Sequence, residues 1–279
     1  MSTDKLNELY PVADQDIEYF QKNGHVRLNN ICSPDDVEHY RQDINQAVVD
    51  RKAKIELLPL EERDTYGKAF LQIMNLWPDY EKVAKFVLAK RFASIAAQLL
   101  GVKKVRIYHD QALYKEPYGG LTPWHQDQYY WPLETNKFVT MWMPLMDVTK
   151  AMGTLNFASG TGNVGYLGDI PISDESEAVL SKMCEERGFE IVNHGDINAG
   201  DATFHSGWCL HGAPKNELNV MREAMTIIWY EDDAKIIDEP DPQERWNKGR
   251  TDDMNRWLPD RKPGEKADGR LNPLVSPFE

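Results

Sequence analysis

The sequence predicts a mainly β protein, an antiparallel sandwich or barrel with helical additions. Up to Gly101, apolar residues recur at helical spacing, and after it the period shortens to about two, which is the period of strands. The second part consists of short β-like runs separated by Gly, Pro, Asn and Asp, as in antiparallel sandwiches and barrels. A chain of 279 residues is an ordinary length for one such domain with added helices.

The first hundred residues are predicted to be mostly helical. One helix is expected to end at Gly24, and the next to begin with Ser33 as N-cap and Pro34 at the first helical position. Between them, HVRLNNI alternates like a short strand. A third helix is expected over about residues 80–100, ending at Gly101.

Six runs after Gly101 are predicted to contain strands: KKVRIYHDQALYK, NKFVTMWMPLMDV, GTLNFASG, FEIVNHGDI, GDATFHSGWCLHG and REAMTIIWYED. The segment 160–188 is polar, glycine-rich and then briefly helical, which is typical of a lid or an insertion. The tail is charged and proline-rich, and we expect it to wrap the surface as irregular structure, with Trp246 and Trp257 as anchors. The predicted organisation is a single domain over 1–279, with a mostly helical part (1–100), a β core (101–232) and a C-terminal extension (233–279).

Charge and cysteine content restrict the class of protein. A formal net charge of -13 argues against binding nucleic acid or an anionic membrane surface, both of which need an excess of Lys and Arg. The three cysteines, Cys32, Cys184 and Cys209, form no close pair and indicate buried free thiols in a reducing compartment. No signal peptide or apolar run of about 20 residues is recognisable. We therefore expect a cytoplasmic monomer or homodimer with a small-molecule substrate.

The stretch WHQDQYYWP places His125 and Asp127 two residues apart among four aromatic rings. On a strand, both side chains would face the same side, and Gln126 would face away. Two ligands alone hold a metal ion poorly, so a third ligand is expected elsewhere. The candidates are the other six histidines: His25, His39, His109, His194, His205 and His211.

His211 is favoured by the residues that follow it. The segment HGAPKNELNVMREAM predicts a strand, a turn and a returning strand, which would bring Arg222 alongside His211 by antiparallel pairing. An arginine can hold a carboxylate in a planar, two-pronged contact. Two histidines and one carboxylate on one face leave three coordination positions open, an arrangement typical of non-heme Fe(II) oxygenases.

The ordered set WHQD…HGAPKN…R, preceded by DQALYK, resembles the phytanoyl-CoA dioxygenase family of Fe(II)/2-oxoglutarate-dependent oxygenases. The resemblance extends to DIEYFQKNGHVRLNNICSPDDVEHYRQDI, VTMWMPLMDVTKAMGTLNFASGT and GDATFHSGWCLHGAPKN, and so covers most of the chain. It implies a double-stranded β-helix (jelly-roll, cupin-like) core with the N-terminal helices packed on one sheet.

The resemblance also implies roles for single residues. His125, Asp127 and His211 would be the ligands of Fe(II), and Arg222 would bind the distal carboxylate of 2-oxoglutarate. The implied catalytic domain converts 2-oxoglutarate and O2 to succinate and CO2 while it oxidises, and most simply hydroxylates, an unactivated C–H bond of a small organic metabolite.

The resemblance implies further contacts to the co-substrate, although the sequence departs from the family pattern at some of these positions. Lys115 matches a position that contacts the co-substrate in relatives, and Trp142 matches another if a one-residue gap is allowed. The family often has Ser two residues after the distal histidine, where this chain has Ala213, so Thr140 is the candidate for the missing hydroxyl contact.

Several outcomes stay open from the sequence. Asp127 fills the position that is a small residue in related halogenases, so it favours oxygenation, desaturation, cyclisation or epimerisation. A non-catalytic cupin-like protein, a zinc-stabilised module and a zinc hydrolase are alternatives of other classes, but none of them explains Arg222, and no fourth ligand is evident. The few basic residues in 160–188 favour a free small molecule over a CoA thioester.

Five residues are candidates for substrate contact. Gln111 and His109 share a predicted strand at a spacing of two, and Tyr129 and Trp131 follow the metal strand and would wall the site. His205 is either a satisfied core histidine or a contact to the substrate or to the iron ligands. Plain packing inside the barrel is the alternative for the two rings.

Overall fold

The computed structural model describes residues 5–55, 57–239 and 246–278. Two antiparallel sheets form its centre. The strands of the described residues are β1 (His25–Leu28), β2 (Leu71–Met74), β3 (Val105–Lys115), β4 (Thr122–His125), β5 (Phe138–Pro144), β6 (Asn156–Ala158), β7 (Ile191–Asn193), β8 (Ala202–Ser206), β9 (His211–Ala213), β10 (Arg222–Glu231) and β11 (Leu274–Val275). The helices are α1 (Asp14–Asn23), α2 (Pro34–Lys52), α3 (Thr65–Ala69), α4 (Glu81–Val87), α5 (Lys90–Leu100), α6 (Asp174–Arg187) and α7 (Lys248–Trp257).

The larger sheet has the order β1-β8-β5-β10-β3-β11, with β2 also paired to β3, and the smaller sheet has the order β4-β9-β6-β7. Trp142 and Ala224 of the larger sheet share a buried cluster with Phe157 and Ala213 of the smaller sheet. The two sheets therefore pack against each other, and this agrees with the predicted antiparallel double-sheet core. The strand β2 was missing from the prediction.

The N-terminal helices cover the outer face of the larger sheet. Ile44 of α2 and Phe92 and Ile95 of α5 are fully buried in one cluster with Met141 and Ile227 of the sheet. Because side chains alternate along a strand, the neighbours of Met141 point the other way, towards the smaller sheet. The prediction that the helices pack on one sheet is confirmed.

The predicted helix ends are mostly confirmed. Gly24 ends α1 at φ +80°, and Gly101 ends α5 at φ +66°, both in the left-handed region that favours glycine. The side chain of Ser33 accepts a hydrogen bond from the backbone N–H of Asp36, as expected of an N-cap. The single helix predicted over 80–100 is wrong, because the non-helical backbone of Ala89 (φ -58°, ψ 128°) divides it into α4 and α5.

The tail is not irregular throughout, and this corrects the prediction. The helix α7 begins after Asn247, whose side chain accepts from the backbone N–H of Arg250. Met254 and Trp257 of α7 are buried in one cluster with Trp131. The few apolar residues of this charged segment therefore lie on one face, and they dock the helix onto the domain.

The described residues contain no helix that is both long and apolar enough to cross a lipid bilayer. Cys32, Cys184 and Cys209 are free thiols and all three are buried, as expected from their spacing.

Candidate metal centre

Two neighbouring strands of the smaller sheet carry the predicted histidine ligands. His125 of β4 lies directly opposite His211 of β9 in the antiparallel register, and the centroids of their rings are 4.2 Å apart. β4 ends at His125, and Asp127 begins a short 3-10 helix instead of continuing the strand, which corrects the predicted strand geometry. Gln126 does face away, since its amide donates to two backbone carbonyls.

The spacing of these three side chains fits one metal ion. One ligand atom from each of His125, Asp127 and His211 lies within 4.8 Å of the others. Oδ1 of Asp127 is 3.5 Å from Nε2 of His125 and 3.7 Å from Nε2 of His211. Two ligands that bind one ion at a right angle, each at about 2.1 Å, are roughly 3 Å apart, so only a small contraction is needed.

Backbone carbonyls fix both imidazoles in the tautomer that a metal requires. Nδ1 of His125 is 2.8 Å from the carbonyl oxygen of Pro123, and Nδ1 of His211 is 3.0 Å from that of Cys209. A carbonyl oxygen only accepts, so the ring proton resides on Nδ1 in each case. Each Nε2 therefore turns a lone pair towards Asp127, as metal-bound histidines do.

The second oxygen of Asp127 is held from the larger sheet. Oδ2 accepts hydrogen bonds from Oγ1 of Thr140 at 3.0 Å and from Nε2 of His205 at 3.2 Å. These two hydrogen bonds favour the charged form of Asp127. Asp127 is thus an ionised, oriented carboxylate with Oδ1 left for a metal.

Arg222 reaches the site by a route that differs from the prediction. It lies on β10 of the larger sheet, opposite Lys115, and so it is not paired with His211 of the smaller sheet. The predicted pairing is wrong because β9 and β10 belong to different sheets. Arg222 nevertheless lines the same cavity as the three metal-ligand candidates, from across the sandwich.

The guanidinium of Arg222 is 2 % exposed and lacks a carboxylate partner within the described ranges. Its Nη1 donates to the carbonyl oxygen of Gly153 at 2.6 Å, and its charge lies 5.2 Å from the ring centroid of Trp142. Nε of Arg222 and Nε1 of Trp142 are buried donors without a described acceptor. Burial lowers the pKa of Arg222 to about 9. Unpaired buried donors beside a cation are costly, and an anionic ligand would satisfy them.

Lys115 and Thr140 make different contacts from those implied by the resemblance. Nζ of Lys115 donates to the carbonyl oxygens of Gly120 and Pro214 and to the hydroxyl of Thr122, at 2.6, 3.1 and 3.3 Å, and Lys115 does not line the cavity. Thr140 lines the cavity, but its hydroxyl donates to Asp127. Contact of either residue with the co-substrate stays a prediction.

A cavity of about 260 Å³ lies between the sheets and reaches from Arg222 past the metal-ligand candidates. Four of the five predicted substrate residues line it: His109, Gln111, Trp131 and His205. Tyr129 does not, because its hydroxyl is directed to Asp169, and the neighbouring Tyr130 takes the place in the wall.

Several residues of the cavity wall were missed from the sequence. They come from α3 and β2 (Tyr66 and Gln72), from the segment before α6 (Ile172) and from α7 (Asp253 and Arg256). The spacing of Met254 and Trp257 was a weak signal for α7. No local pattern marked the others, because they reach the cavity only through tertiary packing.

The three remaining histidines, His25, His39 and His194, lie away from the metal-ligand candidates. Nδ1 of His25 is 3.0 Å from Nε2 of His194, and Nε2 of His25 is 2.7 Å from the hydroxyl of Ser159. His39 is exposed on α2. None of these three belongs to the metal-ligand group found among the described residues.

Known proteins share this fold at low sequence identity. The carbocyclase SnoK from nogalamycin biosynthesis, a non-heme alpha ketoglutarate dependent enzyme, superposes with a TM-score of 0.74 at 22 % identity, covering 95 % of this chain and 96 % of its own. The epimerase SnoN, solved with Fe3+, alpha ketoglutarate and nogalamycin RO, has a TM-score of 0.70 at 20 % identity, with 94 % and 98 % covered. EctD from S. alaskensis, solved with 2-oxoglutarate and 5-hydroxyectoine, has a TM-score of 0.67 at 17 % identity, with 99 % and 92 % covered. These similarities show the fold, and the predicted jelly-roll is confirmed.

Relatives by sequence point to the same family. An ectoine dioxygenase of Streptomyces anulatus is 22 % identical over 241 residues, which are 78 % of this chain and 78 % of the relative. A probable alpha-ketoglutarate-dependent hypophosphite dioxygenase of Stutzerimonas stutzeri is 20 % identical over 231 residues, 80 % of this chain and 79 % of the relative. The family model described as phytanoyl-CoA dioxygenase (PhyH) matches residues 20–224, well over half of the sequence. The chain belongs to the phytanoyl-CoA dioxygenase family of Fe(II)/2-oxoglutarate-dependent oxygenases.

Proposed function

We propose that His125, Asp127 and His211 bind Fe(II), that Arg222 binds the distal carboxylate of 2-oxoglutarate, and that the enzyme hydroxylates a C–H bond of a small organic metabolite. One observation carries this proposal. A buried guanidinium without a described carboxylate partner and the three-ligand group line one cavity. A dicarboxylate that also binds the metal would satisfy both.

When bound, Fe(II) supplies the activation of O2 that couples the conversion of 2-oxoglutarate to succinate and CO2 with the oxidation of the substrate. The protein residues orient the metal ligands and the co-substrate, and they keep water from the reacting atoms. The carbonyls of Pro123 and Cys209 orient the two histidines, and Thr140 and His205 orient Asp127.

Arg222 and Trp142 provide the co-substrate end of the cavity. Their unpartnered donors, Nε and Nε1, are available for carboxylate oxygens, and Gly153 holds the guanidinium in place. Rings and apolar side chains line much of the remaining wall and keep water from the reacting atoms: Tyr66, Phe70, Met74, Tyr130, Trp131 and Ile172.

We further propose that the chain is one catalytic domain and that residues 160–188 act as a lid. Ile172 lines the cavity, and its backbone N–H donates to the hydroxyl of Tyr130 at 2.9 Å. The backbone N–H of Trp124, next to His125, donates to Glu177 of α6 at 2.9 Å. Movement of this segment would open the cavity beside the metal ligands. A cytoplasmic location and a monomeric or dimeric state stay predictions.

The substrate is expected to be small. A cavity of about 260 Å³ is below the roughly 300–1,000 Å³ that is usual for drug-sized ligands, and it must hold the co-substrate as well. This favours a free metabolite over a bulky CoA thioester. Desaturation, cyclisation or epimerisation would use the same site, and gain of one oxygen atom in the product distinguishes hydroxylation from them.

The test is an anaerobic titration of Fe(II) and then 2-oxoglutarate into the metal-free protein. We expect a weak visible charge-transfer band in the wild type, and succinate formation on admitting air. Arg222→Ala should weaken 2-oxoglutarate binding severely and leave metal binding intact. Arg41→Ala, which removes a guanidinium that is ion-paired with Glu223 on the outer side, is the matched control. A wild type that gives neither band nor succinate would refute the proposal.

A further inference from the structure

Helix α7 forms the end of the cavity that lies away from Arg222. Arg222 is paired with Lys115, whereas Gln111 and His109 lie four and six residues further back along β3, or about 13–20 Å along the strand. Asp253 and Arg256 of α7 line the cavity with them. The helix lies after residue 224, where the family match ends, so this wall belongs to a part of the chain beyond the family model.

Asp253 lines the cavity and forms no ion pair within 4.0 Å among the described residues. Oδ2 accepts from the hydroxyl of Tyr108 at 2.9 Å, and the side chain of Trp257 is a further nearby donor that lowers the pKa of this carboxyl. Arg256 follows one turn later on the cavity side, and in the described part of the chain it is within 4.0 Å of no carboxylate oxygen. Burial raises the pKa of Asp253 to about 7, although the hydroxyl of Tyr108 and the charge of Arg256 act to lower it.

Apart from Arg256, the other groups at this end are neutral. Nε2 of Gln72 donates to Oε1 of Gln111 at 2.6 Å, and the hydroxyl of Tyr66 donates to Oε1 of Gln72 at 3.0 Å. His109 is 2 % exposed, and burial lowers its pKa to about 3, so its ring is uncharged at neutral pH. Asp253 is therefore the single carboxylate among the described lining residues that is not a metal-ligand candidate.

We infer that Asp253 is the substrate-recognition group and that the substrate is a small molecule carrying a protonated amine. The inference rests on the proposed function, because it assigns Arg222 and the metal ligands to the co-substrate. An ammonium group would donate to this carboxylate, which has no cationic nitrogen within 4.0 Å among the described residues. The aromatic wall of Tyr130 and Trp131 suits the carbon skeleton of such a molecule, and it offers ring faces to a cation.

The experiment uses three probes of equal length, n-butylammonium, n-butanol and butyrate, on the protein loaded anaerobically with Fe(II) and 2-oxoglutarate. Binding is followed by the shift of the visible band and of the unfolding temperature. We expect n-butylammonium to bind at least about tenfold more tightly than n-butanol, and butyrate to bind least. Asp253→Asn should abolish this preference. Asp252→Asn, which removes a neighbouring carboxylate that is ion-paired with Lys248, should retain it.

The comparison of probes on the wild type does not depend on any variant folding. The inference is overturned if n-butylammonium binds no better than n-butanol, if no probe binds, or if Asp253→Asn keeps the preference. The band formed by 2-oxoglutarate separates this result from the proposed function. A normal band without an amine preference refutes the role of Asp253 alone, whereas absence of the band refutes the proposed function itself.

Discussion

The hydroxyl of Thr140 donates to Oδ2 of Asp127 at 3.0 Å, on the carboxylate oxygen that faces away from His125 and His211. Thr140 lies on β5 of the larger sheet, whereas the two histidines lie on the smaller sheet. The contact therefore ties the carboxylate, which follows the end of a strand, to the opposite side of the sandwich. It links the packing of the two sheets to the geometry of the metal centre.

Thr140→Val should weaken metal binding about tenfold, because Val keeps the shape of Thr and removes the hydrogen bond that orients Asp127. The affinity for Fe(II), or for Mn(II) as a redox-stable substitute, measures the effect. Thr203→Val is the matched control, since the buried hydroxyl of Thr203 on β8 has no described hydrogen bond. Equal affinities in the two variants would contradict the role of Thr140.

A pair of glycines tests how Arg222 is held. Gly153, whose carbonyl oxygen accepts from Nη1 of Arg222, has φ +82°, and a Cβ there would lie 2.5 Å from the carbonyl oxygen of Pro214. Gly160 has φ +83° and open space around the same position. Either Gly→Ala substitution should cost about 1–2 kcal/mol of unfolding free energy for the left-handed backbone. Only Gly153→Ala should also raise the Kd for 2-oxoglutarate, because only there must the backbone that holds Arg222 move.

Isothermal titration of the metal-loaded variants with 2-oxoglutarate gives this comparison directly. Gly160→Ala should match the wild type. If Gly153→Ala also matches the wild type, the carbonyl of Gly153 does not position the guanidinium.

Lys115→Met tests whether this buried lysine stabilises the fold or contacts the co-substrate. Its three contacts join β3 to Gly120 and Thr122 at β4 and to Pro214 after β9, the strands of the histidine ligands. Burial, followed by the nearby charge of Arg222, lowers the pKa of Lys115 to about 6. We expect Lys115→Met to lower the free energy of unfolding by about 1–3 kcal/mol, since buried carbonyls lose their donors.

The Kd for 2-oxoglutarate should change far less in Lys115→Met than in Arg222→Ala. Denaturant unfolding and titration with 2-oxoglutarate give the two quantities. Lys82→Met, at an exposed lysine that is ion-paired with Asp43, is the control for the Lys-to-Met exchange at a site away from the cavity. A severe loss of 2-oxoglutarate binding with unchanged stability would instead support direct contact with the co-substrate.

The grouping of the three metal-ligand candidates was predictable where its signal is local or ordered along the chain. His125 and Asp127 are two residues apart, and the segments around them and around His211 carry a family pattern. Their meeting depends on the register of β4 and β9, which no spacing reveals. Arg222 reaches the cavity from the larger sheet and not by the predicted pairing with His211, because strands that follow each other in sequence need not share a sheet.

The cavity residues contributed by β2 and α7 were not predictable, for a related reason. β2 has four residues and gains its stability from pairing with β3, so its own pattern is weak. The helix α7 has few apolar residues in a charged segment and becomes recognisable only when Met254 and Trp257 pack against Trp131. Residues such as Gln72 and Asp253 reach the cavity through these contacts, which local sequence does not encode.

A buried pair of histidines should make stability depend on pH. His25 is fully buried, stacks on Phe157 with ring centroids 4.7 Å apart, and shares a hydrogen bond with His194. Burial, followed by the charges of His194 and His205, lowers the pKa of His25 from 6.5 to about 3. Between these values the unfolded chain binds a proton that the folded chain does not, so stability rises with pH and falls as the pH drops.

From pH 6.5 down to about pH 5, His25 alone should cost about 2 kcal/mol of unfolding free energy, at roughly 1.4 kcal/mol per pH unit. His25→Gln removes the titrating group and should flatten the slope by this amount, even though it is less stable at neutral pH through lost stacking. Urea unfolding of the metal-free proteins at both pH values measures the difference. His39→Gln, at an exposed histidine of α2, should keep the wild-type slope. If His25→Gln keeps it as well, the buried ring is not the group whose protonation destabilises the fold in acid.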